Sequence, residues 1–399
     1  MDSESEEAKS KLSEYDPKLS FRMFVLGAGF SSAAGLPLAA ELFQLVRKEA
    51  TKDIGSDNHL ERDLKRYIRF ILDTRNVKVI PEEVNFEEFL GFLDVEHYLG
   101  LEGSDTFSAE GNQTQLIVRS LVARVLHNAS PRKQEIPEVY RMFARSLTTS
   151  DFIMTFNYDN ILEMALELEG VPYRLFPRRY ESVGPLQNIV DSSKDEVVLL
   201  KLHGSLDWFD NTNYLDNLSI SKRSPRPWNV GHKVFSPNSG VGYRPIVDGP
   251  RNEDDPLNRV FKVDDPGVIL NRSDWWNGVP MILTPSVSKI LYLNTLKPFW
   301  DGIQEGGGLQ LSLAFVGYSL PDHDFYAKQA FYYLVRNYQG YEPNLELFGR
   351  TKTKIRFVDL CTDKASVSRL KDQYRFVDWK RAEIWKNGLN EGAVKWLFR

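Results

Sequence analysis

The segment at residues 24–37, FVLGAGFSSAAGLP, limits the choice of folds most strongly, because a short apolar run leads directly into an uncharged turn of glycine and serine. Gly27 and Gly29 lack a Cβ atom, so the turn can adopt a positive φ and a ligand can lie against its amides. Ser31 and Ser32 can cap the helix that follows, whose free N–H groups favour phosphate. The alternative is an ordinary tight connection between a strand and a helix.

Composition argues against several classes of protein. The chain has 399 residues, 42% of them hydrophobic, and a net charge of −5, so no overall basic field draws it to nucleic acid or to an anionic membrane. Cys361 is the only cysteine, which excludes an internal disulfide framework and a multi-cysteine zinc site. The sequence has neither an apolar leader nor the run of about 18 apolar residues that a membrane span needs. We therefore expect a cytoplasmic protein without zinc, a membrane anchor or direct nucleic-acid binding.

Several further apolar runs are short and continuous, and helical patterns separate many of them. This arrangement predicts an α/β fold with a Rossmann-like parallel sheet that helices cover on both faces. Apolar residues at helical spacing predict a helix over 38–50. The predicted strands are 22–26, 151–155, 197–202, 281–283, 311–316 and 355–360.

Three other segments differ in character from this alternation. Residues 1–20 are charged and poorly apolar, which predicts an N-terminal arm. Residues 51–150 contain charged stretches with apolar residues three and four apart, and we expect a helical insertion packed against one edge of the sheet. Residues 205–280 are rich in Asn, Pro and Gly with little periodicity, which predicts an irregular, loop-rich subdomain. We assign 21–399 to a single domain that contains both.

Polar residues follow the predicted strand at 151–155. Asn157 and Asp159 lie at its carboxyl end, where open α/β sheets bind ligands. Asn157 offers both a donor and an acceptor, which suits a ribose hydroxyl or a water molecule. A structural interpretation also applies, in which Asn160 caps a helix and Glu163 completes a capping box. That arrangement would leave Asn157 free.

A histidine follows the strand at 197–202. With an ordinary pKa of about 6.5, His203 can exchange a proton at neutral pH. Gly204 lets the chain turn away and leaves the imidazole accessible. A lone histidine is more often structural than catalytic, and only its position at a strand end favours a functional role.

Two more strand ends carry small or polar residues. Gly317 and Ser319 follow the strand at 311–316, where the structural alternative is a turn in which Ser319 bonds local backbone. Asp359 lies at the end of the last strand, where the adenine-side ribose of a nucleotide would lie. Several such ends on one edge of a sheet indicate a crevice of nucleotide size.

Taken in order, these segments resemble the sirtuin-like superfamily. Residues 27–37 are similar to the glycine loop that cradles the pyrophosphate of NAD, and 155–159 (TFNYD) to the asparagine–aspartate motif. Residues 202–204 (LHG) are similar to the histidine–glycine motif, and 317–320 (GYSL) to the segment lining the cofactor's ribose and phosphates. The resemblance implies a sirtuin-like fold with NAD as substrate. The cofactor-binding residues that it implies are Gly27, Ala28, Gly29, Phe30, Ser31, Gly35, Leu36, Pro37, Gly317, Ser319, Leu320 and Asp359.

Two departures from protein-deacylating sirtuins narrow the resemblance. A single cysteine cannot build their four-cysteine zinc module, and Leu38 stands where a Phe–Arg pair would begin after the proline. The chain is more similar to the zinc-free sirtuin-like proteins of bacterial anti-phage defence. Members of that group hydrolyse NAD to nicotinamide and ADP-ribose, and some work with a HerA-type ATPase. The resemblance thus implies an NAD hydrolase that forms a homo-oligomer or acts with such a DNA translocase.

The resemblance also implies roles for the candidate residues. The loop from Gly27 to Ser31 would hold the pyrophosphate through its amides, so that a branched side chain at Gly29 would fill the phosphate's place. Asn157 would hold the attacking water or the nicotinamide ribose, and His203 would bond the ribose hydroxyls or act as general base. Asp159 would orient Asn157 or approach the nicotinamide side, and Ser319 and Asp359 would contact the adenosine half. Two alternatives remain: an NAD-dependent deacylase or ADP-ribosyltransferase, and a non-catalytic subunit that binds NAD or ADP-ribose and regulates a partner ATPase.

Overall fold

A parallel sheet of seven strands lies at the centre of the computed structural model of the chain. The structure describes residues 21–55, 58–101, 111–185, 187–191, 193–272, 278–286, 288, 292–303, 306–308, 310–322, 324–340, 346–347 and 350–399. The arm expected at 1–20 lies outside these residues.

The described strands and helices are numbered in chain order. The strands are β1 (Arg22–Leu26), β2 (Phe152–Thr155), β3 (Tyr173–Arg174), β4 (Tyr180–Val183), β5 (Asn188–Val190), β6 (Val197–Lys201), β7 (Trp208–Asp210), β8 (Tyr243–Pro245), β9 (Val260–Val263), β10 (Ser312–Val316), β11 (Glu346–Leu347), β12 (Arg350–Thr351), β13 (Ile355–Val358) and β14 (Ala382–Trp385). The α-helices are α1 (Ala28–Ser31), α2 (Ala39–Ile54), α3 (His59–Arg75), α4 (Phe86–Leu99), α5 (Gln113–Ala129), α6 (Glu138–Arg145), α7 (Ile161–Leu168), α8 (Thr212–Arg223), α9 (Pro266–Leu270), α10 (Lys297–Trp300), α11 (Phe325–Gly340), α12 (Lys364–Gln373) and α13 (Glu391–Leu397).

The order of the strands places a reversal in the middle of the sheet. From edge to edge the order is β14-β13-β10-β1-β2-β6-β3, and all neighbours run parallel. The chain starts at β1, builds one side with β2, β6 and β3, and returns to the other side of β1 with β10. Open sheets bind ligands beyond the carboxyl ends of the strands at such a reversal. The predicted Rossmann-like α/β architecture is confirmed.

Five of the six predicted strands are present, each within two residues of its expected ends. Their apolar runs are buried because helices lie on both faces, and Phe24, Val25 and Leu26 have no exposed surface. The prediction of a strand at 281–283 is wrong. This segment forms only an isolated bridge between Ile282 and Gly204, outside the sheet, because its backbone pairs with the chain that follows β6.

Helices α3 to α6 occupy the segment between 59 and 145, and α6 shows where part of this segment packs. The ring of Phe143 in α6 lies 5.2 Å from the ring of Phe24 in the central strand β1. It lies 5.3 Å from the ring of Phe30, which follows β1. The expectation that this segment packs against an edge of the sheet is therefore wrong for α6. The aromatic face of α6 is buried against the apolar surface of a central strand.

Part of the segment at 205–280 is more regular than its composition indicates. Strands β7, β9 and β8 form a three-stranded antiparallel sheet. This sheet has its own apolar cluster, which includes Phe209, Phe235 and Val263. Strands of three or four residues between long Pro- and Gly-rich loops are too short to leave a periodic signal. None of the described helices combines the length and the apolar content that a membrane crossing requires.

Candidate functional site

A cavity of about 660 Å³ lies beyond the carboxyl ends of β1, β2, β6 and β10. It brings together residues that are far apart in the chain, above all Asn157 after β2 and His203 after β6. The sequence-predicted residues that line it are Ala28, Ser31, Leu36, Pro37, Asn157, Asp159, His203, Gly317 and Ser319. The parallel sheet explains this convergence, because the carboxyl ends of its strands share one edge.

Some of the expected cofactor-binding residues do not line the cavity; they are Gly27, Gly29, Phe30, Gly35, Leu320 and Asp359. Phe30 is a core residue, whose ring packs edge-on against Tyr140 at 5.1 Å. Leu320 is completely buried. The backbone N–H of Asp359 donates to the carbonyl of Trp385, and burial raises the pKa of its carboxyl group. The cavity lining therefore does not support these six assignments, which stay predictions.

Gly27 and Gly29 are required by a neighbouring segment of the chain. A Cβ atom at Gly27 would lie 2.6 Å from the carbonyl oxygen of Gly317, and one at Gly29 would lie 2.7 Å from the Cα of Gly317. Their N–H groups donate to the carbonyls of Val316 and Gly317 at 3.0 and 2.9 Å. Because these two N–H groups are already bonded, they are not available to a pyrophosphate. The expectation that they hold the phosphates is therefore wrong. The turn does adopt a positive φ, at Gly35 with 83°, whereas the φ of Gly27 is −122°.

The two serines of this loop do not cap a helix. Gly27 occupies the N-cap position of α1, and no side chain caps that helix. Ser32 is exposed, and its hydroxyl donates to the carbonyl of Gly29 at 2.8 Å. Ser31 is buried within the last turn of α1, and its hydroxyl faces Asn157. The capping expected from the sequence is wrong, because α1 begins before either serine and Leu38 is the N-cap residue of α2.

Asn157 joins the end of β2 to the loop after β1. Its Nδ2 atom donates to the carbonyl oxygen of Gly27 and to the hydroxyl oxygen of Ser31, both at 2.9 Å. Its own N–H donates to the hydroxyl of Thr155 at 3.1 Å. Within the described ranges nothing donates to its Oδ1 atom, so the side chain can still accept a hydrogen bond from a ligand in the cavity.

Asp159 performs the capping that the sequence assigned to Asn160. Its Oδ1 atom accepts from the N–H of Ile161 at 3.1 Å, whereas Asn160 makes no capping bond to α7. The predicted capping box is therefore wrong. Burial raises the pKa of Asp159, and the charge of Lys201 and the hydroxyl of Ser31 partly oppose this shift. Asp159 is linked in this way to the same serine as Asn157.

Lys201, at the end of β6, is a buried charge that sequence reasoning missed. Its Nζ atom donates to the carbonyl of Asp159 and to Oε1 of Glu163, both at 2.6 Å, and to Oδ1 of Asn160 at 3.0 Å. Three acceptors match its three N–H groups, which compensates for the loss of hydration. Burial also raises the pKa of Glu163. The signal in the sequence that could have revealed this buried charge is the lysine within the apolar strand VVLLK.

His203 is buried and lines the cavity. Its Nε2 atom lies 2.6 Å from the hydroxyl oxygen of Tyr326, and its ring packs edge-on against Phe156 at 4.7 Å. Gly204 has a φ of 81°, and a Cβ atom there would overlap the carbonyl of Met281. This glycine therefore serves the pairing with the segment at 281–283, and the expectation that it exposes the imidazole is wrong.

One wall of the cavity comes from the segment that precedes α4, which sequence reasoning did not connect with the site. This segment contributes Glu82 and Glu83, and the first turn of α4 contributes Glu87. Together with Asp159 and Asp324 they give five carboxyl groups, and no lysine or arginine among the described residues lines the cavity. Such a lining favours a positively charged group in the ligand.

Comparison with known proteins identifies part of the chain. Residues 151–225 match the SIR2-like domain. The match contains Asn157, Asp159, Lys201 and His203, so it covers the ends of β2 and β6 that line the cavity. This domain indicates an NAD-related function and supports the sirtuin-like resemblance.

A solved structure from work on the structural basis of sirtuin substrate affinity aligns over 98% of this chain and 96% of its own, with 12% identity and a TM-score of 0.29. No curated protein matches the chain. The match to the SIR2-like domain therefore covers residues 151–225, the segment that contains Asn157 and His203.

Proposed function

We propose that this protein hydrolyses the N-glycosidic bond between nicotinamide and ribose in NAD, giving nicotinamide and ADP-ribose. The observation that carries the proposal is the convergence of Asn157, Asp159 and His203, from the SIR2-like domain, with Ser31 in one cavity. The cavity volume of about 660 Å³ falls within the range of about 300–1,000 Å³ that is common for small-molecule sites.

The charge of the cavity supports this chemistry. Cleavage of the bond builds positive charge on the ribose C1′, as in the oxocarbenium-like transition state of glycoside hydrolysis. Nicotinamide leaves as a neutral molecule from a pyridinium, so no acid is required to protonate it. The five lining carboxyl groups favour the pyridinium of the substrate, and those that are ionised stabilise the charge on C1′ as it develops.

The side chains divide the remaining tasks. The Oδ1 atom of Asn157 accepts from the attacking water or from a ribose hydroxyl. His203 accepts a proton, a general-base role worth about 10²–10⁴-fold in rate. Asp159 accepts from the N–H of Ile161 at the start of α7, and Lys201 fixes this loop by donating to the carbonyl of Asp159.

The phosphates need other donors than the sequence indicated. The amides of Gly27 and Gly29 are already bonded to the end of β10 and its following residue. We place the pyrophosphate against Ala28, Ser31 and Ser319, which line the cavity. Hydroxyl and backbone donors are the groups available there, since the described lining has no lysine or arginine.

The test is product analysis with purified protein. NAD incubated with the unaltered chain should give nicotinamide and ADP-ribose in equal amounts by mass spectrometry. His203→Ala and Asn157→Ala should each lower the rate by about 100-fold or more, with melting temperatures that show folded protein. His59→Ala is the matched control, because His59 lies outside the cavity at the start of α3. Unchanged rates in both site variants would contradict the proposal, and O-acetyl-ADP-ribose formed from an acetylated peptide would indicate a deacylase.

One observation favours a second candidate, a regulatory subunit that binds NAD or ADP-ribose without cleaving it. The Nδ2 atom of Asn157 and the Nε2 atom of His203 both bond protein groups in this structure. Calorimetry separates the candidates, because the regulatory subunit would bind NAD tightly while releasing no nicotinamide.

We further propose that the reaction depletes cytoplasmic NAD in anti-phage defence, and that the protein acts as a homo-oligomer or with a HerA-type ATPase. This proposal rests on the resemblance to zinc-free sirtuin-like defence proteins. An enzyme that consumes NAD also needs control by assembly or by a ligand, because constant activity would harm its own cell. Nicotinamide release measured at several protein concentrations, with and without the ATPase, tests this control.

A further inference from the structure

A second cavity, of about 600 Å³, lies between α7, the turn after α5 and the small antiparallel sheet of β7, β9 and β8. Its volume also falls within the range of about 300–1,000 Å³ that is common for small-molecule sites. Its lining includes Arg132, Lys133, Arg244 and Lys262, whereas no described lysine or arginine lines the first cavity. The two cavities therefore differ in the charge that they offer to a ligand.

Lys262 in β9 is a buried cation whose N–H groups lack acceptors. The residue is 8% exposed, and no described residue accepts a hydrogen bond from its Nζ atom. Its one ion pair, to Oδ2 of Asp207, measures 3.5 Å, whereas a charge-assisted hydrogen bond measures about 2.7–2.9 Å. Asp207 itself accepts from the hydroxyl of Ser205 at 2.6 Å and from Nδ2 of Asn160 at 2.8 Å.

The ammonium of Lys262 nevertheless stays charged. Burial lowers its pKa, but the charge of Asp207 and of other neighbouring groups outweighs burial and raises the pKa above its ordinary value. A buried ammonium with three N–H groups and no acceptor is costly. An acceptor in the cavity that Lys262 lines would remove this cost.

Most other charges of this lining are already paired. Lys133 and Arg244 each pair with a carboxylate of the same lining. The carboxylate of Glu163 pairs with Lys201, which lies outside the lining, at 2.6 Å. Arg132 is exposed and forms no ion pair with any residue that the structure describes. Positive charge thus remains available at Arg132 and at Lys262.

The second cavity is linked to the first through consecutive residues, since Asp159 lines the first and Asn160 the second. Lys201 donates to the carbonyl of Asp159 at 2.6 Å and to Oδ1 of Asn160 at 3.0 Å. Asn160 donates in turn to Asp207. A ligand that attracts Lys262 competes with Asp207 for this cation, and therefore acts on a group that holds the loop of Asp159.

We propose that the second cavity binds a small organic phosphate, whose phosphate group pairs with Lys262 and Arg132. A phosphate monoester carries about −1.5 to −2 charges at pH 7 and offers three acceptor oxygens. This matches two cations and the three N–H groups of an ammonium. The uncharged part of the ligand lies against Met164, Leu206 and Val263. The bound ligand regulates nicotinamide release through the loop of Asp159; this consequence rests on the proposed function, whereas the binding does not.

Calorimetry with ribose 5-phosphate tests the binding, with ribose as the uncharged comparison. We expect one saturable site for the phosphate ester and none for ribose. Lys262→Met should raise its Kd by about tenfold or more. Arg132→Ala should raise it by about two- to fivefold, because Arg132 is exposed. Arg336→Ala is the matched control, an exposed arginine on α11 outside both cavities, and should leave the Kd unchanged.

The absence of a saturable site in the unaltered protein would overturn the proposal. An unchanged Kd in Arg132→Ala would also overturn it, whether or not Lys262→Met folds. Displacement of ribose 5-phosphate by NAD, with equal Kd values in all variants, would place the ester in the first cavity and likewise contradict the second site.

A rate assay tests the regulation. Saturating ribose 5-phosphate should change nicotinamide release by the unaltered protein about fivefold or more, and should have no effect on Lys262→Met. Binding that depends on Lys262, with no change in nicotinamide release, would support the site and overturn its regulatory role. The same binding in a protein that releases no nicotinamide would support the site and contradict the proposed function instead.

Discussion

The Nδ2 atom of Asn157 lies 2.9 Å from the hydroxyl oxygen of Ser31, and this contact joins the ends of two adjacent strands at the cavity. The same nitrogen bonds the carbonyl of Gly27. The hydroxyl of Ser31 also lowers the pKa of Asp159, against the larger effect of burial. The serine that accepts from the asparagine therefore also favours the charged form of the aspartate that the sequence singled out.

Ser31→Ala tests this contact. It removes the acceptor of Asn157, so the free energy of unfolding should fall by about 1–2 kcal/mol. Nicotinamide release should fall by about tenfold or more, because the loop that supports Asn157 loosens. Ser32→Ala is the matched control, since Ser32 is exposed and its hydroxyl bonds only the carbonyl of Gly29 among the described residues. Urea denaturation and a rate assay measure both, and equal effects of the two substitutions would contradict the assignment.

Gly29→Ala separates a packing role from a ligand role. Its Cβ atom would lie 2.7 Å from the Cα of Gly317, so the substitution should destabilise the protein by about 1–3 kcal/mol even without NAD. Gly340→Ala is the control, because a Cβ atom there meets nothing within 4 Å. Thermal unfolding of both variants without ligand measures this loss of stability. A variant as stable as the unaltered protein but unable to bind NAD would restore the original interpretation of the glycine loop.

Lys201→Met should destabilise the protein strongly. It leaves Glu163 buried without its cation, which typically costs about 3–5 kcal/mol. The double variant Lys201→Met with Glu163→Met should recover most of that loss, because an apolar pair needs no compensation. Chemical denaturation of the single and double variants gives both values. Equal stability of the single and the double variant would show that Lys201 and Glu163 do not stabilise each other, and would contradict the prediction.

His232 predicts a loss of stability in acid. Its Nδ1 atom accepts from the N–H groups of Val234 and Phe235 at 3.1 and 3.2 Å. Burial, together with the neighbouring Lys233, lowers its pKa from 6.5 to about 4. His232 therefore binds a proton below about pH 6.5 in the unfolded chain, but only below about pH 4 in the folded protein. The free energy of unfolding falls as the pH falls through this window, by roughly 3 kcal/mol in total.

His232→Asn tests that prediction, since an asparagine keeps an acceptor near the position of Nδ1 without titrating. Unfolding free energies of both proteins should be measured between about pH 7 and pH 4. The curve of the variant should be flatter, and two parallel curves would contradict the assignment.

The sequence predicted the sheet and the edge that carries the site because both depend on local patterns. An apolar run that ends in glycine or a polar residue, as at Leu26 or Leu202, marks a buried strand and its carboxyl end. Parallel strands bring those ends to one edge, so the cavity around Asn157 and His203 could be predicted without knowledge of the packing.

The remaining parts of the site depend on contacts between segments far apart in the chain. Nothing near Gly29 in the sequence shows that Gly317 packs against it, so its lack of a Cβ atom was assigned to a ligand. The wall at residues 82–87 reaches the cavity through the packing of α4, and the hydroxyl of Tyr326 reaches His203 through the packing of α11. Lys201 could have been noticed, since a lysine in an apolar strand needs buried partners.

The most direct test of the account is to incubate NAD with the purified protein in water enriched in heavy oxygen and to identify the products by mass spectrometry. Hydrolysis at the cavity predicts free nicotinamide and ADP-ribose that carries one heavy oxygen atom, and the loss of both products in His203→Ala. Intact NAD, or the same products from His203→Ala at an unchanged rate, would contradict it.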